Sequence, residues 1–249
     1  MKTGRVCDYI YQKVRSGPIH MTLIDPDKQK PEDAGEIAFE AFRCGTSAIM
    51  VGGSTGVERH GLDETLRCIK ARVSIPLIGF PSGVSGLSPL LDALYFLSMM
   101  NSMMPRHITG EQAAGALLTK KYGIEPIGMG YIIIEPGMKV GEVGHADPVQ
   151  RKDIDRAVGY ALAAEYFGMK LVYLEAGSGA PVHVPARMIE AVKREITIPL
   201  VVGGGIRNSA AAAEVAGAGA DVVVTGTVVE SENGLETLGS IIRSVVKRQ

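Results

Sequence analysis

Two carboxylates stand where short apolar runs stop. Leu23-Ile24-Asp25-Pro26-Asp27-Lys28 closes the run Ile19-His20-Met21-Thr22, and Tyr173-Leu174-Glu175 leads into Ala176-Gly177-Ser178-Gly179. Burying a carboxylate is costly unless it is paired or bound to a metal, so each run either surfaces there or carries a working group. Asp25 suits Mg²⁺, which takes hard oxygens and needs only one or two protein ligands when phosphates supply the rest. Ser54, after another apolar run, offers a neighbouring hydroxyl. Asp27, between Pro26 and Pro31, reads as turn or cap chemistry. Strand alternation puts Tyr173 and Glu175 on one face. A base there would activate a substrate hydroxyl; the alternative is a glutamate that holds a loop amide or an arginine.

Glycines gather beside these carboxylates, in Gly52-Gly53-Ser54-Thr55-Gly56, Val202-Gly203-Gly204-Gly205-Ile206 and Thr225-Gly226-Thr227. Such turns expose backbone N–H groups and let an anion approach closely. Ser209 opens a helix whose end amides add to an anion site. A single glycine-rich turn is equally well a tight connection; two in these positions favour phosphate.

These residues need elements to position them. Eight β-rich runs recur, near Ile19–Ile24, Ala48–Val51, Pro76–Phe80, Ala93–Met100, Met129–Glu135, Lys170–Glu175, Pro199–Val202 and Asp221–Thr225. Helical patterns alternate with them: Pro31–Arg43, Asp63–Arg72, Thr109–Tyr122, Pro148–Phe167, Pro185–Glu195, Ser209–Ala216 and Leu235–Lys247. Alternation implies a parallel sheet, because each parallel crossover needs a helix. Eight units in 249 residues predict one domain, residues 1–249, folded as a (β/α)8 TIM barrel; an open doubly wound sheet is the alternative. About a dozen residues separate Phe80 from Ala93, with Gly83, Gly86 and Pro89 among them. The third helix is therefore predicted to be reduced or replaced by a loop. A shift of 123 residues lays Gly45 on Gly168, Gly56 on Gly179, Lys70 on Lys193 and Ile75-Pro76-Leu77 on Ile198-Pro199-Leu200, a pattern two duplicated half-barrels would leave. In barrels the strand carboxyl ends hold the active site, and the turns after strands seven and eight hold phosphate. Asp25, Ser54, Glu175 and the glycine turns all fall at such ends.

The bulk numbers exclude other classes. A net charge of −1 gives no general attraction to nucleic acid. Cys7, Cys44 and Cys68 have no C-x-x-C spacing and read as reduced cytosolic thiols. The amino terminus, a polar-apolar helix-like segment, lacks a secretory apolar region, and the most apolar window, Leu87 to Met104, is broken by Pro89, Asp92 and Asn101. The histidines His20, His60, His107, His145 and His183 show no zinc spacing and read as structural or solvent-facing. Met99, Met100, Met103 and Met104 read as core or as the lining for a long hydrocarbon.

Thr22 to Lys28, Gly52-Gly53-Ser54, Tyr173 to Gly179, Gly203-Gly204-Gly205-Ile206-Arg207 and Gly226-Thr227 together resemble the geranylgeranylglyceryl phosphate synthases, the archaeal branch of a prenyltransferase family with bacterial heptaprenyl relatives. The resemblance runs from strand one to strand eight. It implies a modified barrel whose third helix is replaced, and a cytoplasmic, Mg²⁺-dependent enzyme of ether-lipid synthesis. That enzyme joins the sn-3 hydroxyl of sn-glycerol 1-phosphate to geranylgeranyl diphosphate and releases diphosphate. By position it assigns Asp25 and Ser54 to the metal, and Tyr173, Leu174, Glu175, Ala176, Gly177, Ser178, Gly179, Gly204, Gly205, Gly226 and Thr227 to glycerol phosphate. Glu175 takes the hydroxyl proton. Leu23 replaces a lysine and Thr227 an asparagine found in other members. A homo-oligomer with at most transient membrane contact is expected. The rival readings are another phosphate-binding barrel, such as a sugar-phosphate isomerase or flavin enzyme, and a non-catalytic phosphometabolite-binding module.

Overall fold

A computed structural model describes residues 4–52, 59–230 and 233–246. In chain order the elements are α1 (Arg5–Val14), β1 (Ile19–Ile24), α2 (Pro31–Cys44), β2 (Ala48–Val51), α3 (Arg59–Lys70), β3 (Leu77–Gly79), β4 (Ala93–Met99), α4 (Glu111–Tyr122), β5 (Glu125–Ile133), α5 (Met138–Val143), α6 (Ile154–Tyr166), β6 (Leu171–Glu175), α7 (Ala186–Glu195), β7 (Leu200–Gly203), α8 (Ser209–Gly217), β8 (Val222–Thr225) and α9 (Gly234–Val245). The strands pair in sequence order, all parallel, and β1 closes on β8 through Ile19↔Val222 to Thr22↔Thr225. β2, β6, β7 and β8 are buried at every residue, which explains their near-continuous Val and Ile content: both faces of a barrel strand are covered.

Side chains alternate between two cores. Met21, Met50, Ile78, Tyr95, Met129, Tyr173 and Val201 fill the barrel, while Ile132, Val172, Leu174 and Val202 pack outward under the helices. His20 lies wholly inside, its ring nitrogens 3.0 Å from Thr46 Oγ1 and 2.9 Å from Thr225 Oγ1. Burial lowers its pKa to about 3 and keeps it neutral. It is structural, as its isolation in the sequence predicts.

α1 stoppers the strand-start end of the barrel. Val6, Cys7 and Ile10 join the interior core. The Glu125 carboxylate accepts the amides of Val6 and Cys7 at 2.8 Å each, satisfying two of the free donors of the helix's first turn.

The third crossover lacks an α-helix. A single 3₁₀ turn, Val84–Gly86, lies between β3 and β4, and Leu87 and Leu91 fold inward to cover the strands. The predicted loss of that helix is therefore observed. Several boundaries differ from expectation, α3 starting at Arg59 rather than Asp63 and a short unexpected α5 following β5, and two of the shifts have a plain cause. β5 starts at Glu125 rather than Met129, because pairing with Ala93 to Met99 overrides the poor strand preference of Pro126 and Gly128. α6 starts at Ile154 rather than Pro148, because Asp153 accepts the Arg156 amide at 3.3 Å and caps the helix there.

The 123-residue repeat is visible in hydrogen bonds. Thr46 N donates to Ala41 O, and Met169 N to Ala164 O; Ile49 N donates to Pro76 O, and Val172 N to Pro199 O. Asp92 accepts Lys70 Nζ at 3.1 Å and Leu77 N at 2.9 Å. Asp221, its counterpart 129 residues on because the crossover before β8 is six residues longer than the one before β4, accepts Lys193 Nζ at 2.6 Å and Leu200 N at 2.7 Å. Gly56, one member of the repeated set, lies outside the described residues.

Candidate active site

A cleft opens at the strand carboxyl ends and runs outward through the gap left by the missing helix. At its barrel end it is lined by Asp25, Lys28, Glu175, Ser178, Gly226 and Thr227. Phe80, Tyr95 and Tyr131 form its middle. Leu87, Leu94, Phe96, Gly115 and Thr119 line the far side, between β4 and α4. One end is polar and the long remainder apolar.

Glu175 ends β6 and is 6% exposed. One carboxylate oxygen accepts Gly177 N at 2.7 Å, and the other accepts the Tyr131 hydroxyl at 3.3 Å. Burial raises its pKa above the ordinary carboxylate range, while Gly177, Tyr173 and Tyr131 pull the other way by stabilising the charged form. A buried carboxylate with a raised pKa, facing a cleft and held in place from two sides, has the features of a general base.

The glycines around it are required by space and backbone conformation. Gly204 has φ +81°, and a Cβ there would meet Glu175 and sit 2.6 Å from Gly177 N. Gly205 has φ +70°, and a Cβ there would strike Val182. A Cβ on Gly203 would overlap the Tyr173 hydroxyl. Among the described residues, the amides of Gly204, Gly205, Gly226 and Thr227 donate to no atom of the chain, which leaves them for an anion. Ser178 Oγ and Thr227 Oγ1, 2.7 Å apart, link the strand-six and strand-eight turns. α8 begins at Ser209 as expected, capped by Asn208, whose side chain accepts Ala211 N at 2.9 Å.

Not every expected residue turns its side chain to the cleft. Leu174 and Ala176 pack outward into the layer beneath the helices. Tyr173 is 1% exposed and belongs to the barrel interior, its ring 5.2 Å from Tyr131 and 5.9 Å from Phe80. It supports Glu175 from beneath. Gly179 has φ +75°, and its carbonyl accepts Arg207 at 2.6 Å. Of the methionine group, Met99 lines the cleft while Met103 and Met104 are exposed. Ser54 lies outside the described residues.

Asp25 lines the cleft, and its Oδ1 accepts Asp27 N at 3.1 Å. The turn hydrogen bond expected of Asp27 is thus made by Asp25, with Lys28 N on Asp25 O at 3.1 Å closing it, and Asp27 itself is exposed. The donor set fits Mg²⁺: Asp25 offers a hard carboxylate at the polar end, Glu175 at the same end is already held by Gly177 N and Tyr131, and among the described residues no group of three or more His, Cys, Asp or Glu side chains could cage a metal. Such a site binds its metal together with phosphate oxygens.

The sequence reading gave no role in the cleft to Lys28, His107, Glu111 or Gln112, all of which line it. His107, expected to be structural or solvent-facing, stacks on His145 at 6.0 Å. The four-residue spacing of Glu111, Gly115 and Thr119 on one helical face was the available signal.

Residues 10–247 match the PcrB family. The chain is 51% identical over 236 residues to the geranylgeranylglyceryl phosphate synthase of Thermococcus kodakarensis, covering 95% of this chain and 94% of that one. It is 53% identical over 232 residues to the synthase of Methanothermobacter thermautotrophicus, covering 93% and 94%. The crystal structure of (S)-3-O-geranylgeranylglyceryl phosphate synthase from Thermoplasma acidophilum, in complex with substrate sn-glycerol-1-phosphate, superposes with a TM-score of 0.93 at 45% identity, covering 98% and 99%. With a family match spanning nearly the whole chain and half its residues shared with these relatives, the protein belongs to the PcrB family.

Proposed function

We propose that this protein is a prenyltransferase that joins sn-glycerol 1-phosphate to geranylgeranyl diphosphate, with Mg²⁺ held by Asp25. The observation that carries this reading is one cleft with two characters: a polar end around Glu175 and the free glycine amides, and a long apolar end where a barrel helix is missing. A phosphorylated acceptor suits the first and an isoprenoid tail the second. The relatives' names and the acceptor bound in the Thermoplasma structure agree with that division.

The chemistry follows from the geometry. The amides of Gly204, Gly205 and Thr227 hold the acceptor's phosphate, which orients its free hydroxyl toward Glu175. The allylic C–O bond of the donor breaks, and its electron pair leaves with diphosphate. The acceptor oxygen forms the new C–O bond and gives its proton to Glu175. Mg²⁺, when bound, stabilises the charge that develops on diphosphate. Phe80, Tyr95 and Tyr131 line the middle of the cleft and exclude water from the reacting carbon. No helix among the described residues is long and apolar enough to cross a membrane; we assign the reaction to the cytoplasm.

The test combines protein, geranylgeranyl diphosphate and glycerol 1-phosphate with and without Mg²⁺. Ether product that depends on the metal is expected. Asp25→Asn keeps the turn, since an asparagine oxygen also accepts the Asp27 amide, so the fold should stay while turnover falls by about 10²-fold or more. Near-normal metal-dependent turnover in that variant would remove Asp25 from the metal site.

A further inference from the structure

The charges of the cleft do not balance. Among its described lining residues are three carboxylates, Asp25, Glu111 and Glu175, and a single lysine or arginine, Lys28. His107 adds little, because burial and the neighbouring Arg106 lower its pKa and favour the neutral ring. Glu111 is paired with Arg106, but Arg106 is 73% exposed at its side chain and points out of the cleft lining. A cleft that takes an anionic leaving group needs positive charge at the place where that group sits. Within the described wall, Lys28 alone supplies it.

The backbone fixes where this cation stands. Lys28 N donates to Asp25 O at 3.1 Å, Asp27 N donates to Asp25 Oδ1 at 3.1 Å, and the Gln29 side chain donates to Asp25 O. One tight turn therefore carries a carboxylate and an ammonium three residues apart, both lining the same cleft. A phosphomonoester already has its donors on the opposite rim, in the free amides of Gly204, Gly205 and Thr227. The Asp25–Lys28 turn is left for a second, separate phosphate group.

We infer that Lys28 binds the diphosphate of the prenyl donor and takes up charge on it as the allylic C–O bond breaks. This rests on the proposed prenyl transfer. Attraction between Lys28 and the leaving diphosphate grows as the bond's electron pair moves onto that oxygen, so the lysine acts on donor affinity and on rate together. Its compact ammonium tracks a moving oxyanion without demanding a fixed fork of hydrogen bonds.

The test compares wild type with Lys28→Gln and Lys28→Arg. Lys28 is exposed at the rim and outside both cores, so both variants should keep the wild-type melting temperature. Lys28→Gln should raise the KM for geranylgeranyl diphosphate and weaken Mg²⁺-dependent binding of inorganic pyrophosphate, each about tenfold or more, while the KM for glycerol 1-phosphate changes less than about twofold. Lys28→Arg should restore most of both. Unchanged donor KM and pyrophosphate affinity would overturn the inference, and so would a selective loss of glycerol 1-phosphate affinity. Absence of turnover in the wild type would defeat the prenyl-transfer reading instead, and the pyrophosphate titration would still judge Lys28.

Discussion

The two half-barrels are alike at one end and unlike at the other. At strand starts and helix carboxyl ends the halves make the same bonds, Lys70–Asp92–Leu77 N in one and Lys193–Asp221–Leu200 N in the other, although the aspartates stand 129 rather than 123 residues apart. At strand carboxyl ends it fails. The same 123-residue shift carries Gly52 onto Glu175 and Phe80 onto Gly203. In the first half a glycine lies against the Phe80 backbone, and the Phe80 ring fills the cleft wall. In the second half the large group is Glu175, the proposed base, and the glycine makes room for the Tyr173 hydroxyl beneath it. Small and large have changed places. Fastening residues at the closed end have been kept, while those at the open end have been divided between an apolar wall and a polar site.

The sharpest way to break this contrast is at Glu175. Glu175→Gln keeps the shape of the side chain and removes the base. The kcat should fall by about 10²- to 10⁴-fold with little change in the KM for glycerol 1-phosphate, read by steady-state kinetics. A loss confined to affinity would make Glu175 a binding group and the second half a holder of substrate only.

The conserved end predicts equivalence. Asp92→Ala and Asp221→Ala each leave a strand-start amide and a lysine without their acceptor. Each should cost about 1–3 kcal/mol in a denaturant titration, with activity retained at temperatures where the protein stays folded. Asp221 should cost the more, since its side chain is 17% exposed against 25% for Asp92. The double variant should be nearly additive. A fastener that mattered in one half alone would mean the repeat is a relic of sequence, not of stability.

The smallest effect concerns pH. Tyr131 donates to the Glu175 carboxylate and favours its charged form, so the bond opposes the upward shift caused by burial. Removing it in Tyr131→Phe raises the base's pKa further. Activity requires the deprotonated base and rises as pH passes upward through that pKa. The acid limb of the kcat profile should therefore sit at higher pH in Tyr131→Phe than in wild type. An unmoved limb would mean that the phenol only shapes the cleft.

The sequence reveals much of this and hides a definable remainder. Strands ending in glycine announce a parallel barrel, and a short stretch rich in glycine and proline announces the missing helix. Alternation alone places Tyr173 and Glu175 inward, and it equally turns Leu174 outward, away from any substrate. The family resemblance names the run from Tyr173 to Gly179 without that distinction. Asp25 and Asp27 are indistinguishable by type; the backbone assigns the turn bond to Asp25. Lys28, His107 and Gln112 could not be found by pattern, because a cleft wall is assembled from the turn after β1, the segment after β4, and α4, and no periodicity links residues so far apart. The strand start at Glu125 was hidden for a similar reason: Pro126 and Gly128 suit a strand only because a neighbour pairs with them.

The stopper helix α1 has a consequence for the order of assembly. Its first amides are satisfied by Glu125, and the strand that follows it closes against Val222 to Thr225. Both sets of partners are made long after α1 itself leaves the ribosome. α1 must therefore wait until half the chain has been synthesised, and β1 until nearly all of it has, before the barrel they belong to can close. A sequence separation of this size makes closure late and slow. An arrested chain that stops short of β8 should leave α1 open to protease, and the finished barrel should protect it.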